Sequence, residues 1–132
     1  DENIPVFYSD IEDFVSKTGY IPVTVSADWL KCQTIQSFED EDMGFTLIVQ
    51  YMTLDRFMVV VIQRWNTDQD VVMNVEGSSY SKTTILKNTE LIYAIDTADG
   101  SFNGAAVLSD SLLFVGAEKG VDIEKLLIIL KE

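Results

Sequence analysis

Histidine is absent from this chain of 132 residues, cysteine occurs once, and nine Lys and Arg stand against 22 Asp and Glu. The commonest general base and the usual zinc ligands are therefore almost missing. The remaining enzyme options need a carboxylate pair or an activated serine or lysine. The Gly-x-Ser-x-Gly pattern of serine hydrolases, the P-loop and the dinucleotide fingerprint do not occur. We predict a protein that is not an enzyme and that binds no metal or cofactor.

Basic residues are too few to balance the acids, and the formal net charge is −13 at pH 7. Such a surface repels phosphate groups, so we expect no nucleic-acid partner and no direct binding to anionic membranes. Two explanations of the charge stay open. The first is solubility far from the isoelectric point, and the second is an acidic face for a basic partner or for cations.

Long apolar runs and paired cysteines are also lacking. No stretch of about 18 apolar residues could span a membrane, so any membrane attachment would come from an anchor outside residues 1–132. The lone Cys32 cannot form an intramolecular disulfide, and we interpret it as a small buried hydrophobe. The opening Asp-Glu-Asn resembles a boundary left by processing or cloning, which is compatible with a removed signal or anchor.

The composition is that of a globular protein, with 47% hydrophobic and 11% aromatic residues. The chain is long enough to bury a core, and no linker or low-complexity tract interrupts it. We therefore predict one α+β domain over residues 1–132.

The strongest local pattern covers residues 45–65. Two arms rich in β-branched and aromatic residues flank a short stretch around Asp55, which is the spacing of a β-hairpin. Apolar residues occupy odd and even positions of both arms, so we expect both faces to be at least partly covered. This pattern places the hairpin in the middle of a sheet, with Val59 and Val61 on its more buried face.

Two helices and further strands complete the predicted fold. A short amphipathic helix is expected over residues 9–18, capped by Ser9 or Asp10 and ended by Gly19, and a second over residues 122–131. We expect a curved antiparallel sheet of six or seven strands, with both helices packed on one face. The other strand candidates are an extended edge segment at 20–26, then 30–38 with a phase slip typical of a β-bulge, 78–86, 91–95, 105–108 and 112–117, while 71–75 is either a strand or a helical turn.

Aromatic residues are the main candidates for ligand contact. They would line a cleft for a small apolar or peptide-like molecule. The alternative is that aromatic side chains on strands belong to the core or to an interface. The residues concerned are Trp29, Tyr51, Trp65 and Tyr93, together with Phe57.

Two acidic segments are candidates for cation binding. Residues 96–104 offer several oxygen ligands, but Val107 occupies the twelfth position, where a calcium-binding loop has glutamate. We interpret this segment as a glycine-bearing connection between strands and residues 39–42 as a solvated turn. The oxygen ligands considered in the first segment are Asp96, Asp99, Ser101 and Asn103.

Four segments carry a resemblance to a known family. Residues 14–22 contain Gly-Tyr-Ile-Pro, residues 45–63 form the paired arms, residues 75–80 read Val-x-Gly-x-x-Tyr, and residues 113–130 contain Phe-Val-Gly followed by Asp-x-Glu-x-Leu. Together they resemble a small extracytoplasmic domain of unknown function in Gram-positive-type bacteria. That family occurs in membrane-anchored anti-sigma-factor-like proteins and in lipoproteins. A second proline and one aromatic residue that are usual in the family have no counterpart in this chain.

The resemblance implies an extracytoplasmic location, in an anchored or secreted bacterial protein, and a sensory, regulatory or protein-binding role. It transfers no catalytic residue. We therefore expect a non-catalytic interaction or sensor domain of an envelope protein, and the alternative is a binding domain for a small apolar or peptide-like ligand. A protein partner or a homodimer is compatible with either. Whichever of Ile128 and Ile129 lies outside the buried stripe of the second helix would be a contact point.

Overall fold

The structure, a computed structural model, describes residues 4–42, 44–66, 79–86 and 88–131. These residues form eight β-strands and two α-helices. The elements are β1 (Val6–Phe7), α1 (Ile11–Thr18), β2 (Leu30–Asp40), β3 (Gly44–Thr53), β4 (Met58–Trp65), β5 (Ser81–Ile85), β6 (Thr89–Ile95), β7 (Phe102–Val107), β8 (Ser111–Ala117) and α2 (Ile123–Lys131). Residues 71–75, predicted as a strand or a helical turn, lie outside the described residues.

The eight described strands form one antiparallel sheet in the order β1-β2-β3-β4-β8-β7-β6-β5. Two sets of four consecutive strands therefore meet side by side where β4 pairs with β8. Val61 of β4 lies opposite Val49 of β3 and Val115 of β8, and it is 3% exposed. The prediction that the 45–65 hairpin lies inside the sheet, with Val61 on a buried face, is confirmed.

The number of strands is larger than the six or seven predicted. The strand β1 has only two residues, paired with Gln36 and Ser37 of β2, and two residues are too few to show a period of two in the sequence. Residues 20–26, in contrast, take no part in the described sheet ladder. They lie against the sheet, where the Val23 N–H donates to Oε1 of Gln63 at 2.8 Å. Their alternation therefore reflects one-sided packing and not a place in the ladder.

The predicted bulge in β2 is confirmed. Cys32 lies opposite Tyr51 while Thr34 lies opposite Gln50, so Gln33 is an extra residue without a partner on β3. An extra residue bends the strand and returns the following side chains to the opposite phase. The phase slip predicted within residues 30–38 has this cause, and the structure places it between Cys32 and Thr34.

The helix α1 has the predicted caps. The Asp10 side chain accepts a hydrogen bond from the Asp13 N–H at 2.7 Å, and Gly19 ends the helix with a φ of +81°, which a residue without Cβ adopts at no cost. Phe14 is its fully buried residue, and its ring stacks on Phe45 and Trp65 with centroid distances of 6.1 and 6.2 Å. This aromatic contact fixes α1 on the sheet.

The helix α2 follows Asp122, whose side chain accepts a hydrogen bond from the Lys125 N–H at 3.3 Å. Leu126 and Leu130 are buried, whereas Leu127, predicted in the same stripe, is only partly buried. A helix of this length needs tertiary contacts to stay ordered. Leu126 and Leu130 therefore supply most of its docking.

The C-terminal end of α2 contacts the sheet at its edge strand, β5. The Leu130 carbonyl accepts a hydrogen bond from the Leu86 N–H, just after β5, at 3.2 Å. Ile128 is 56% exposed and Ile129 is partly buried. The outward isoleucine of α2 is therefore Ile128.

The register assigns side chains to two faces of the sheet, because successive residues of a strand point to opposite sides. We call the face that carries Val61 the first face and the face that carries Arg64 the second face. Central side chains of the first face are Leu47, Val49, Tyr51, Val59, Val61, Gln63, Trp65, Leu113 and Val115. Central side chains of the second face are Thr46, Ile48, Ile62, Arg64, Leu112 and Phe114.

One buried polar side chain on the first face joins three parts of the chain. Gln63 is 2% exposed; its Oε1 accepts from the Val23 N–H, and its Nε2 donates to Oγ of Ser111 at 2.8 Å. Ser111 in turn donates to Asp110 at 2.8 Å. Since a buried amide must be hydrogen-bonded, this arrangement holds residues 20–26 on the sheet in one position.

Candidate functional site

The predicted aromatic residues lie in different surroundings. Trp65 belongs to an aromatic cluster of the core, where its ring stacks on Tyr20 at 4.8 Å and on Phe14 at 6.2 Å. Tyr93 of β6 stacks on Phe102 of β7 at 5.4 Å. Two strands, β8 and β7, separate β6 from β4, which carries Trp65. Trp29 is partly buried and packs against the core. The structure therefore does not bring Trp65 and Tyr93 together in one cleft.

Tyr51 is the predicted site residue that lines an open recess. The recess has a volume of about 270 Å³ and lies at the edge of the sheet, between the start of α1, residues 24–25 and the bulge of β2. Apolar and polar groups share its lining. The principal lining residues are Tyr8, Asp10, Val25, Cys32, Thr34 and Tyr51.

The recess exists because the chain leaves the sheet edge after a short pairing. The last backbone hydrogen bond at this edge joins the Tyr8 N–H to the Ile35 carbonyl at 2.9 Å, after which the chain turns into α1. Among the described residues, no strand pairs with the outer side of β2 over residues 30–34. Lys31, Cys32 and Gln33 are accordingly exposed. The expectation that Cys32 is a buried hydrophobe is wrong, because the bulge places it on this uncovered edge.

The backbone of Cys32 points outward from the sheet. The Thr53 N–H donates to the Phe57 carbonyl at 2.8 Å, so the backbone groups of Thr53 face β4. In an antiparallel pair this direction repeats at every second residue. The backbone groups of Tyr51 therefore also face β4. Cys32 lies opposite Tyr51 and so forms a non-hydrogen-bonded pair with it. Its N–H and C=O therefore face the open side of β2, whereas those of Lys31 face β3.

Two titratable groups in the recess are held in their neutral forms. Burial raises the pKa of Tyr51 to about 12, although the Val25 N–H that hydrogen-bonds its oxygen acts in the opposite direction. Cys32 is exposed as a residue, but the partial desolvation of its thiol at the recess also raises the pKa of that thiol. A thiol with a raised pKa is a poor nucleophile at neutral pH. The recess therefore offers hydrogen-bonding groups and no activated nucleophile at Cys32.

A sequence signal for the recess existed but was not specific. The phase slip in residues 30–38 marks a bulge, and bulges are frequent at sheet edges and next to binding sites. What the sequence did not reveal is the early departure of the chain at Tyr8, which leaves the bulged part of β2 uncovered. The principal lining residues that the sequence did not assign to a site are therefore Tyr8, Asp10, Val25, Cys32 and Thr34.

The prediction of a turn over residues 39–42 is wrong for Glu39 and Asp40, which end β2 and pair with Phe45 and Gly44, so the turn begins only after Asp40. Residues 39–41 with Gly44 and Asn66 line a second recess of about 460 Å³, and the Asp42 N–H donates to Asp40 at 2.7 Å. In the 96–104 segment, Asp96 accepts from the Ala98 N–H at 2.7 Å. In the ranges that the structure describes, no group of three or more Cys, Asp and Glu is placed to hold a metal ion.

Asp99 uses its carboxylate within the same turn. Its Oδ1 accepts from the N–H and from the hydroxyl of Ser101, at 2.9 and 2.7 Å. These hydrogen bonds lower the pKa of Asp99 below its ordinary value. The carboxylate is therefore engaged in closing the connection between β6 and β7.

Comparisons with protein-family profiles, with curated proteins and with solved structures find no match to this chain. The described helices include none that is long and apolar enough to cross a membrane. The family resemblance of residues 14–22, 45–63, 75–80 and 113–130 therefore stays a prediction.

Proposed function

We propose that this domain is a non-catalytic interaction domain that binds an extended segment of a protein or peptide partner along the open part of β2. The observation that supports this function is the outer edge of residues 30–34, which no described strand covers, beside a recess of about 270 Å³. A partner segment added to a sheet edge gains affinity from backbone hydrogen bonds, and neighbouring pockets that accept its side chains give specificity. Here the outward N–H and C=O of Cys32 are the backbone groups that would form these hydrogen bonds.

The open position of the recess favours a segment of polypeptide over a whole small molecule. Sites for drug-sized ligands usually measure about 300–1,000 Å³ and enclose most of the ligand. The recess of about 270 Å³ is close to the lower end of that range, but it opens at a strand edge. One side chain of a bound segment fits this space, while the rest of the segment lies along β2.

The charge of the domain favours a basic partner. Asp10 lies in the recess, and the chain as a whole carries a net charge of −13. Complementary charge accelerates encounter and suppresses wrong partners. A segment with one lysine or arginine next to the inserted side chain meets these conditions.

An extracytoplasmic location in a bacterial envelope protein, with a sensory or regulatory role, belongs to the same proposal, and its support is the family resemblance. The finer arrangement of the fold is proposed with it: a curved sheet with both helices on the first face. The contact of Phe14 with Phe45 and Trp65 supports this position for α1. The burial of Leu126 and Leu130 is compatible with the same position for α2.

Selection of short displayed peptides against the whole chain, followed by fluorescence anisotropy, tests strand addition. Cys32→Pro removes the outward N–H and leaves the ladder with β3 intact, since proline is tolerated where an edge N–H faces solvent. We expect the selected peptides to bind Cys32→Pro about tenfold more weakly. One net hydrogen bond of about 0.5–1.5 kcal/mol is lost, and the proline ring occupies space that the peptide would use. Cys32→Ser keeps the N–H and should keep the affinity.

Lys31→Pro is the matched contrast, because the Lys31 N–H faces β3 and its loss should lower the melting temperature. If Cys32→Pro itself does not fold, peptides methylated at alternate backbone nitrogens test the same hydrogen bonds on the parent chain. Equal affinity of the parent and Cys32→Pro would contradict strand addition. So would selected peptides that tolerate every backbone methylation. Dimerisation that competes with the peptides would identify the occupant of the edge as a second copy of the domain.

A further inference from the structure

Among the residues that the structure describes, Arg64 contacts no carboxylate, although the protein is strongly acidic. It lies on β4 with its side chain on the second face. The ion pairs of the described residues are Lys17–Asp13 and Lys82–Glu90, and neither involves Arg64. With 22 acidic residues in the chain, an arginine that contacts none of the described carboxylates is unexpected. Its position points to a function other than balancing internal charge.

Two polar atoms at this position are buried without a hydrogen-bond partner. They are Nε of Arg64 and Oγ1 of Thr46. Thr46 lies directly opposite Arg64 in the β3–β4 register, so both side chains project side by side from the second face. Buried polar atoms in folded proteins are nearly always paired, and an unpaired one often marks the place of a water, an ion or a ligand. Here a donor group and a hydroxyl on adjacent strands are both unpaired.

Apart from Thr46, the described neighbours of the guanidinium on the second face are apolar. Its central carbon lies 5.1 Å from the ring centroid of Phe114 on β8, which is the distance of a cation–π contact. Leu112 lies opposite Arg64 on β8, and Ile62 and Ile48 share the same face. The ring holds the guanidinium in place, and the low local dielectric strengthens any hydrogen bond that it donates.

We propose that Arg64 and Thr46 form a binding site for the carboxylate of an amphiphilic molecule, whose apolar chain lies along Ile62 and Phe114. The planar fork of a guanidinium matches the two oxygens of a carboxylate, and the Thr46 hydroxyl adds a third donor. A singly charged carboxylate suits the site better than a phosphate, because a net charge of −13 repels a doubly charged anion more strongly. The site is separate from the edge of β2 and does not depend on the function proposed for that edge.

Titration of the whole chain with octanoate, followed by the ¹⁵N resonances of the backbone and of the arginine side chains, tests this site. We expect saturable shifts at Arg64 Nε and at the amides of residues 46 and 112–114. Acetate, which lacks the chain, and octanol, which lacks the charge, should each bind at least about tenfold more weakly. Equal responses to octanoate and octanol would reduce the site to an apolar patch and overturn the proposal.

Four variants separate the site from general effects of charge. Arg64→Gln should lower octanoate affinity at least about tenfold, and Arg64→Lys, which keeps the charge but not the fork, should lower it to a lesser extent. Thr46→Val should weaken binding while leaving the fold intact, because its hydroxyl has no partner to lose. Arg56→Asn removes one exposed positive charge at a hairpin and should change nothing.

Two results would overturn the proposal. The first is no saturable shift with octanoate at millimolar concentration, or the same shifts in Arg64→Gln. The second is an Arg64 Nε resonance that moves on Asp68→Asn or Asp70→Asn in the absence of octanoate. The second result would assign the guanidinium to a carboxylate of the chain itself.

Discussion

Replacing Gln63 with methionine removes a buried polar clamp while keeping the length of the side chain. In the parent, Gln63 accepts from the Val23 N–H and donates to Ser111, both at 2.8 Å, and is 2% exposed. Loss of the first contact leaves a part-buried backbone donor unpaired, at a cost of about 1–3 kcal/mol. Loss of the second removes one net hydrogen bond, about 0.5–1.5 kcal/mol. We therefore expect Gln63→Met to lower the free energy of unfolding by about 2–4 kcal/mol.

Urea denaturation and thermal melting measure this loss. An unfolding entropy of about 2.1 cal/mol/K per residue converts it to a decrease of about 7–14 °C in the melting temperature. Hydrogen exchange adds a local readout, because the Val23 amide should lose protection in the variant. Gln36→Met makes the same substitution on β2, outside this buried network, and should change stability by less than about 0.5 kcal/mol. A Gln63→Met chain as stable as the parent, with its Val23 amide still protected, would refute the clamp.

The remaining predictions concern burial and titration. Val61→Asp places an unpaired charge between two strands and should cost several kcal/mol, so a melting temperature within a degree or two of the parent would disprove its central position. Leu126→Ala should cost about 2–5 kcal/mol by urea denaturation, and Leu127→Ala clearly less, because Leu127 is only partly buried. Ultraviolet titration should show a tyrosinate phase near pH 12 that Tyr51→Phe removes. A tyrosinate phase near pH 12 that survives Tyr51→Phe would exclude this assignment. Because the folded pKa of Tyr51 lies above the unfolded value of about 10, its contribution to stability is complete below pH 10 and is lost as the pH rises to about 12.

Local patterns account for the parts of the fold that the sequence predicted. The caps at Asp10 and Gly19, the 45–65 hairpin and the bulge after Cys32 each depend on a few neighbouring residues, and the structure confirms them. Side-chain chemistry and a period of two are enough to recognise such features. The general class, a mainly antiparallel sheet with two helices, follows from their sum.

Non-local contacts account for what the sequence could not supply. The strand β1 forms because Gln36 and Ser37 of β2 lie beside it. Residues 20–26 alternate without pairing in the ladder because their backbone partners are side chains, those of Gln63 and Tyr51. The recess combines residues 8–11, 24–25 and 32–35 with Tyr51. These segments meet only after the sheet is complete. The local sequence pattern around an aromatic residue such as Trp65 does not distinguish a side chain that lines a cleft from one in the core.

The side-by-side junction of β4 and β8 has a consequence for how the chain is made. The strand β4 ends at Trp65, but its second neighbour is complete only at Ala117. During synthesis, the valine-rich strand of residues 58–65 therefore waits with one open edge while about fifty further residues emerge. An open apolar edge of this kind pairs readily with other chains. A chain that ends before Ser111 should therefore aggregate instead of forming a smaller folded domain. The domain folds only when both halves of the sheet are present.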